Sequence, residues 1–211
     1  IFGFDSDTED CFNTTLTGLL NSALLSGDPS LLTALPGTPL YRRMKLSGRL
    51  RSVRFGLGGY KYQTNIKYIL SAEKMFDGYK GFVNNYTKGK YQYNRLKAYF
   101  DLLETGNFIP LEGKGFGNLS LFLKMILKNK AALSQMLIRL LRFSATPSNL
   151  FYLVCGFFLV FNKNQIHGRF GYFQFWLFAW TNAVLKYKNL SLKDFDIEGV
   201  EKDFDIRNII P

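Results

Sequence analysis

Two short apolar runs, Ile1 to Phe4 and Leu31 to Leu35, flank a stretch of helical periodicity, and this strand-helix-strand pattern constrains the chain most. The first run stops at Asp5, and Ser6 with Glu9 three residues later reads as a capping box for the helix that follows. Asp7, Glu9 and Asp10 load the expected first turn with negative charge, where the helix dipole favours it. Phe12, Leu16, Leu19 and Leu20 then form one apolar stripe, of the kind a helix lays on a sheet. The second run follows Asp28-Pro29 and halts at Pro36-Gly37. Two parallel strands and one helix cannot make a sheet covered on both faces, because each strand needs further neighbours and a second layer. The chain starts with Ile, inside the candidate strand, so it is read as the C-terminal fragment of a longer protein.

The residues around these runs carry a resemblance. FGFDSDTED at Phe2 to Asp10 and LLTALPGTPLYRRMKLSGRL at Leu31 to Leu50 resemble the fifth and sixth strand regions of the radical S-adenosylmethionine (SAM) family. The branch is the one with an N-terminal cobalamin (B12)-binding domain, similar to the hopanoid methylases. The second motif is the more specific: a Leu-Pro-Gly-Thr-Pro-Leu-Tyr turn, a short basic helix and a Gly-Arg-Leu stop. Thr64-Asn65, Asp77-Gly78-Tyr79, Tyr91, Tyr93 and Arg95 follow in the order of that branch's C-terminal extension, and the likeness covers residues 1 to 110. Ser47 departs from it, replacing a frequent acidic residue, as does Ser26-Gly27-Asp28-Pro29 before the second strand.

The resemblance implies an α/β fold leading into mainly α structure: the last strand-helix-strand of a radical SAM partial TIM barrel, followed by a helical C-terminal region. The implied segments are 1–47 (end of the barrel), 48–110 (basic connector and helical extension) and 111–211 (helical and aromatic-rich). It implies a methyltransferase-like enzyme that cleaves SAM reductively at a 4Fe-4S cluster and acts on an unreactive carbon through cobalamin. The cluster ligands and the cobalamin domain would lie in the N-terminal part of the same protein. The backbone at Phe2, Gly3 and Phe4, with Thr33, Leu35 and Pro36, would line the adenine and ribose of SAM, because ligands of α/β folds sit at the carboxyl ends of strands. The plainer reading keeps Gly3 as relief of strand crowding and Pro36-Gly37 as a turn.

The cysteine count limits chemistry inside this chain. The family's cluster needs a close-set CxxxCxxC, whereas only Cys11 and Cys155 are present, read as a helix-flank thiol and a core thiol. With His167 as the sole histidine, His/Cys zinc sites and Ser-His or Cys-His pairs are nearly excluded, and no metal ligand is assigned.

Further along, Thr38 reads as an N-cap with Pro39 at the first helical position and a stop at Gly48. Residues 48–64 read as a Gly-rich basic connector, Ala72 to Tyr86 and Tyr91 to Glu104 as helices, and Gly113 to Gly117 as a turn or linker. Leu119 to Phe143 is an amphipathic helix whose polar side is basic, either packed on a core or laid on an anionic membrane surface. Leu150 to Phe161 and Gly171 to Trp180 are apolar runs too short to span a bilayer, which needs roughly 20 residues. They read as a buried hairpin or a lipid-facing patch. The tail from Asp194 to Asp205 reads as a solvated terminal helix or loop.

A formal net charge of +11 calls for an anionic partner class. Arg42, Arg43, Lys45, Arg49, Arg51, Arg54, Lys61 and Lys67 run without an acidic residue between Pro29 and Ala72, interleaved with tyrosines. No nucleic-acid motif accompanies them, so nucleic acid is set aside. The expected partners are the N-terminal part of the same protein, a small-molecule or lipid substrate, and a peripheral membrane contact from a cytoplasmic location. The alternative function is a non-catalytic basic helical module binding an anionic membrane surface or a protein.

Overall fold

In the computed structural model Phe2 and Leu31 pair in parallel, with Phe2 N–H on Ser30 O at 3.0 Å and Leu32 N–H on Phe2 O at 2.7 Å, but neither Ile1 to Phe4 nor Leu31 to Leu35 forms the strand that the sequence pattern leads one to expect. The structure describes residues 1–27, 30–52, 63–106, 130–144, 146–166, 168–187, 190–191, 193, 195–201 and 204. Among them are seven helices and two strands: α1 (Cys11–Asn21), α2 (Pro39–Leu46), β1 (Gln63–Tyr68), α3 (Ala72–Tyr86), α4 (Gly89–Glu104), α5 (Lys130–Ser144), α6 (Pro147–Asn162), α7 (Arg169–Tyr187) and β2 (Asp196–Gly199). The described residues are thus mostly helical, with a two-stranded parallel sheet. The chain divides into two compact units: Ile1–Thr15, Asp28–Phe82 and Leu190–Pro211 form the first, and Leu16–Gly27 with Val83–Asn189 the second. Each is assembled from separated pieces of chain.

In the first unit the pairing at Phe2 and Leu31 is a single bridge and not a ladder. The run Leu31 to Leu35 is instead held by side chains of β1. Thr64 Oγ1 and the Tyr68 hydroxyl both donate to Leu32 O at 2.8 Å, and Asn65 closes a reciprocal pair with Ala34, donating to its carbonyl at 2.7 Å and accepting its N–H at 2.9 Å. An extended segment gains the hydrogen bonds of a sheet neighbour in this way without a strand partner. On its edges β1 meets Leu50 through an antiparallel bridge at Ile66 and β2 in parallel. Arg51 fastens β2: it donates to Asp196 Oδ1 at 2.6 Å, Asp196 O at 2.9 Å and Thr64 O at 2.7 Å, and pairs with Glu198 at 2.8 Å. Burial opposes the Arg51 charge, but its bonds to the two carboxylates outweigh that and raise its pKa.

The core of this unit is aromatic. Phe2 is buried with its ring 4.6 Å from Phe12, 5.0 Å from Phe82 and 6.1 Å, edge-on, from Tyr79. α2 begins as expected, with Thr38 Oγ1 accepting the Tyr41 N–H at 3.2 Å ahead of Pro39. It stops at Gly48, whose φ of +67° lets the chain reverse and send Arg49 inward.

Three expectations are corrected here. α1 starts at Cys11, so Ser6 and Glu9 form no capping box, and Asp7, Glu9 and Asp10 lie before the helix rather than in its first turn. Asp7 satisfies other donors, the N–H groups of Gly3 and Phe4. The acidic tail is not a solvated helix or loop at Asp196–Gly199 but strand β2, because Arg51 supplies the charge its carboxylates need.

In the second unit α4, α5, α6 and α7 pack around Leu96, Phe100, Phe143, Val160, Trp176 and Trp180. Both indoles are buried and both N–H groups find backbone acceptors: Trp176 donates to Gln92 O at 3.0 Å and Trp180 to Thr87 O at 2.9 Å. The second bond serves a carbonyl just beyond the end of α3, where no intrahelical donor remains. Arg95 is fully buried with its guanidinium 5.1 Å from the Tyr86 ring centre and 5.9 Å from that of Tyr91, and it donates to Leu24 O. The two apolar runs do form a helical hairpin, α6 and α7, but α6 leaves much of its apolar surface exposed. Cys155, expected in the core, is only half-buried. Part of the connector (53–62), the Gly113 to Gly117 turn and the 119–129 half of the amphipathic helix lie outside the described residues.

Candidate functional site

The carboxyl end of the parallel bridge in the first unit is where a ligand of an α/β arrangement would sit. Because Phe2 and Leu31 run the same way, the segments that follow them, Gly3 to Asp7 and Leu32 to Gly37, leave at the same end. All six residues expected at the site belong to these two segments or to Phe2 itself. They differ in what they present.

Phe2 is only 1 % exposed and its side chain belongs to the aromatic core, so only its backbone is offered. Gly3 sits at a φ of +107°, and a Cβ there would meet the Tyr68 ring at 2.3 Å, so that space is filled by Tyr68. The Asp7 carboxylate accepts the N–H groups of Gly3 at 2.8 Å and Phe4 at 3.0 Å, which shapes the turn. Phe4 and Leu35 are half-exposed large apolar side chains, and Pro36 is exposed beside Leu35. Thr33 is half-buried, yet its Oγ1 is shielded from water and has no hydrogen-bond partner among the described residues. A shielded hydroxyl without a partner costs free energy, so it marks a position where an added donor or acceptor would be favourable.

The structure adds a charged group beside these residues that the sequence did not single out. Asp5, directly after Phe4, is bonded by Arg49 Nη2 at 2.7 Å and approached by Arg43 at 3.5 Å. Arg49 is almost completely buried; its Nε donates to Lys67 O at 2.9 Å, and the Phe204 ring centre lies 5.9 Å from the guanidinium. Its Nη1, like the Nε of Arg43, has no partner among the described residues. Two guanidinium groups share one carboxylate, leaving a net positive charge suited to a carboxylate or phosphate oxygen. The only signal in the sequence was the run of arginines after Pro36; that Arg49 would turn inward depended on the left-handed residue Gly48.

The site offers binding and orientation rather than reactive groups. Burial, with Asp7 adding to it, pushes the Cys11 thiol up to about 11, which keeps it protonated near neutral pH. No group of three His, Cys, Asp or Glu able to hold a metal ion occurs among the described residues. Compared with known proteins, the chain matches no family model, no curated protein and no solved structure.

Proposed function

We propose that residues 1–47 are the closing strand-helix-strand of a radical SAM enzyme, with the rest of the barrel in a preceding part of the same protein, and that the carboxyl end of the bridge lines its SAM pocket. The observation that carries the reading is the parallel pairing of Phe2 with Leu31. It supports the direction in which the resembling motifs would have to run, and it brings Phe4, Thr33, Leu35 and Pro36 to one end. Leu35 and Pro36 supply an apolar wall for an adenine ring, and Thr33 Oγ1 is a polar group with capacity to spare. Gly3 contributes through its backbone alone, since Tyr68 covers it.

This chain has no ligand set for the cluster: two cysteines cannot supply three thiolates, and no other described residues cluster to replace them. The chain's share of the work is therefore to line and shape the pocket, in a C-methylation or related radical reaction on an unreactive carbon.

The test begins with the reading frame upstream of Ile1, where CxxxCxxC after a strand pattern is expected. The complete protein, reconstituted anaerobically with iron and sulfide, should form 5′-deoxyadenosine from SAM. Leu35→Asp, at a half-exposed position, should raise the KM for SAM by about tenfold or more while leaving the fold intact. An upstream frame without the cysteine motif, or a complete protein that leaves SAM intact, would overturn the reading.

A further inference from the structure

Helix α6 turns the wrong surface outward for a helix in water. Leu150, Phe151, Val154, Phe157, Phe158 and Phe161 are 44–61 % exposed and recur at three- and four-residue spacing, so they form one stripe roughly 120° wide. The helix carries no charged residue at all, and Asn149, polar, is buried on the inward side, donating to Phe143 O at 3.3 Å. A helix apolar on both its packed and its outward face requires a second non-aqueous surface.

The distribution of charge identifies that surface. Between residues 113 and 193 there are eleven Lys and Arg and no Asp or Glu, so this stretch holds the entire net charge of +11, while the remaining residues carry sixteen of each sign. On α5, which packs against α6, the exposed Arg142 shares a helical face with the exposed Ile138 and Leu141. The acids that approach the end of α6, Asp101 and Glu104, are already paired with Lys97 and Lys163. A second copy of the chain would bring two such positive regions together. An anionic bilayer supplies both an apolar bed and the opposite charge. Length agrees: α6 is about 24 Å long, short of a bilayer core of about 30 Å. No single described helix is long and apolar enough to cross a membrane; only together do Ile138–Ser144 and Pro147–Asn162, bent by 108°, reach that length and composition.

We propose that the outward stripe of α6 lies in the surface of an anionic lipid bilayer, drawn there by the positive charge that the sequence concentrates in residues 113–193. The inference stands apart from the radical SAM reading, and its test needs neither SAM nor a cluster.

The full chain is floated with vesicles of phosphatidylcholine alone and with added phosphatidylglycerol, over a series of salt concentrations. Binding to the anionic vesicles that weakens with salt is expected, and Phe151→Asp and Phe158→Asp should each lower it by about tenfold or more. Both positions are exposed, and far-UV circular dichroism with thermal unfolding checks that the fold is kept. Absence of binding to anionic vesicles, or binding indifferent to the Phe→Asp changes, would overturn the proposal. A dimer in sedimentation velocity that Phe158→Asp abolishes, without lipid binding, would give the stripe to a second copy. Loss of thermal stability in Phe158→Asp, again without lipid binding, would give it to the chain itself.

Discussion

Gly3 and Tyr68 show how much one backbone angle can hold. At a φ of +107° a side chain is strained whatever the space, and here the space is also taken, the Tyr68 ring lying 2.3 Å from where a Cβ would be. Burial pushes the Tyr68 phenol up, and its hydroxyl stays protonated to donate to Leu32 O. Gly3→Ala must therefore either displace Tyr68, releasing Leu32, or change φ, pulling the Gly3 and Phe4 N–H groups off Asp7. A loss of about 2–4 kcal/mol is expected from backbone strain and overpacking together. Urea unfolding of the full chain measures it, and a change below about 0.5 kcal/mol would show that the turn relaxes without cost. That Gly3 mattered was legible in the sequence. That its neighbour is Tyr68 was not, because the two are brought together by packing and not by any spacing along the chain.

The helices were the most legible elements. Ala72 to Tyr86 and the Thr38–Pro39 start of α2 follow directly from apolar periodicity and capping chemistry, both of which act within a few residues. Strands depended on partners from elsewhere. Leu31 to Leu35 has the composition of a strand, yet β1 binds it through Thr64, Asn65 and Tyr68 side chains and leaves one bridge. β2 has the composition of a solvated tail and becomes a strand through Arg51, distant in sequence but bonded to Asp196 by both its backbone and its carboxylate. Arg51→Ala should release β2, with a local cost of about 2 kcal/mol given the partial exposure of both acids. Hydrogen exchange at Val200, whose N–H donates to Tyr68 O at 2.8 Å, reports the change; unaltered protection would mean that the parallel ladder holds without the guanidinium.

Across the whole molecule, burial of tyrosines sets a limit at alkaline pH. Burial pushes Tyr91 up to about 12 against the pull of Arg95, and burial with Tyr172 beside it pushes Tyr99 up to about 12, both from a reference of 10.0. Their folded-state values lie above the unfolded ones, so the stability they contribute is complete below pH 10 and is lost as pH rises toward 12. Stability measured across that window should fall, and the fall should be shallower in Tyr91→Phe; an identical slope would assign it to other groups. Local pattern and composition were enough to read α2, α3 and α4, the cysteine and histidine scarcity that denies this chain a cluster of its own, and the concentration of positive charge in residues 113–193. It took packing between distant segments to make Arg49 and Arg43 share Asp5, to leave Thr33 Oγ1 without a partner among the described residues, and to turn the phenylalanines of α6 outward. The reason is physical: which side of an apolar helix is covered, and which charges meet, depends on contacts between segments far apart in the chain, and no local spacing encodes them.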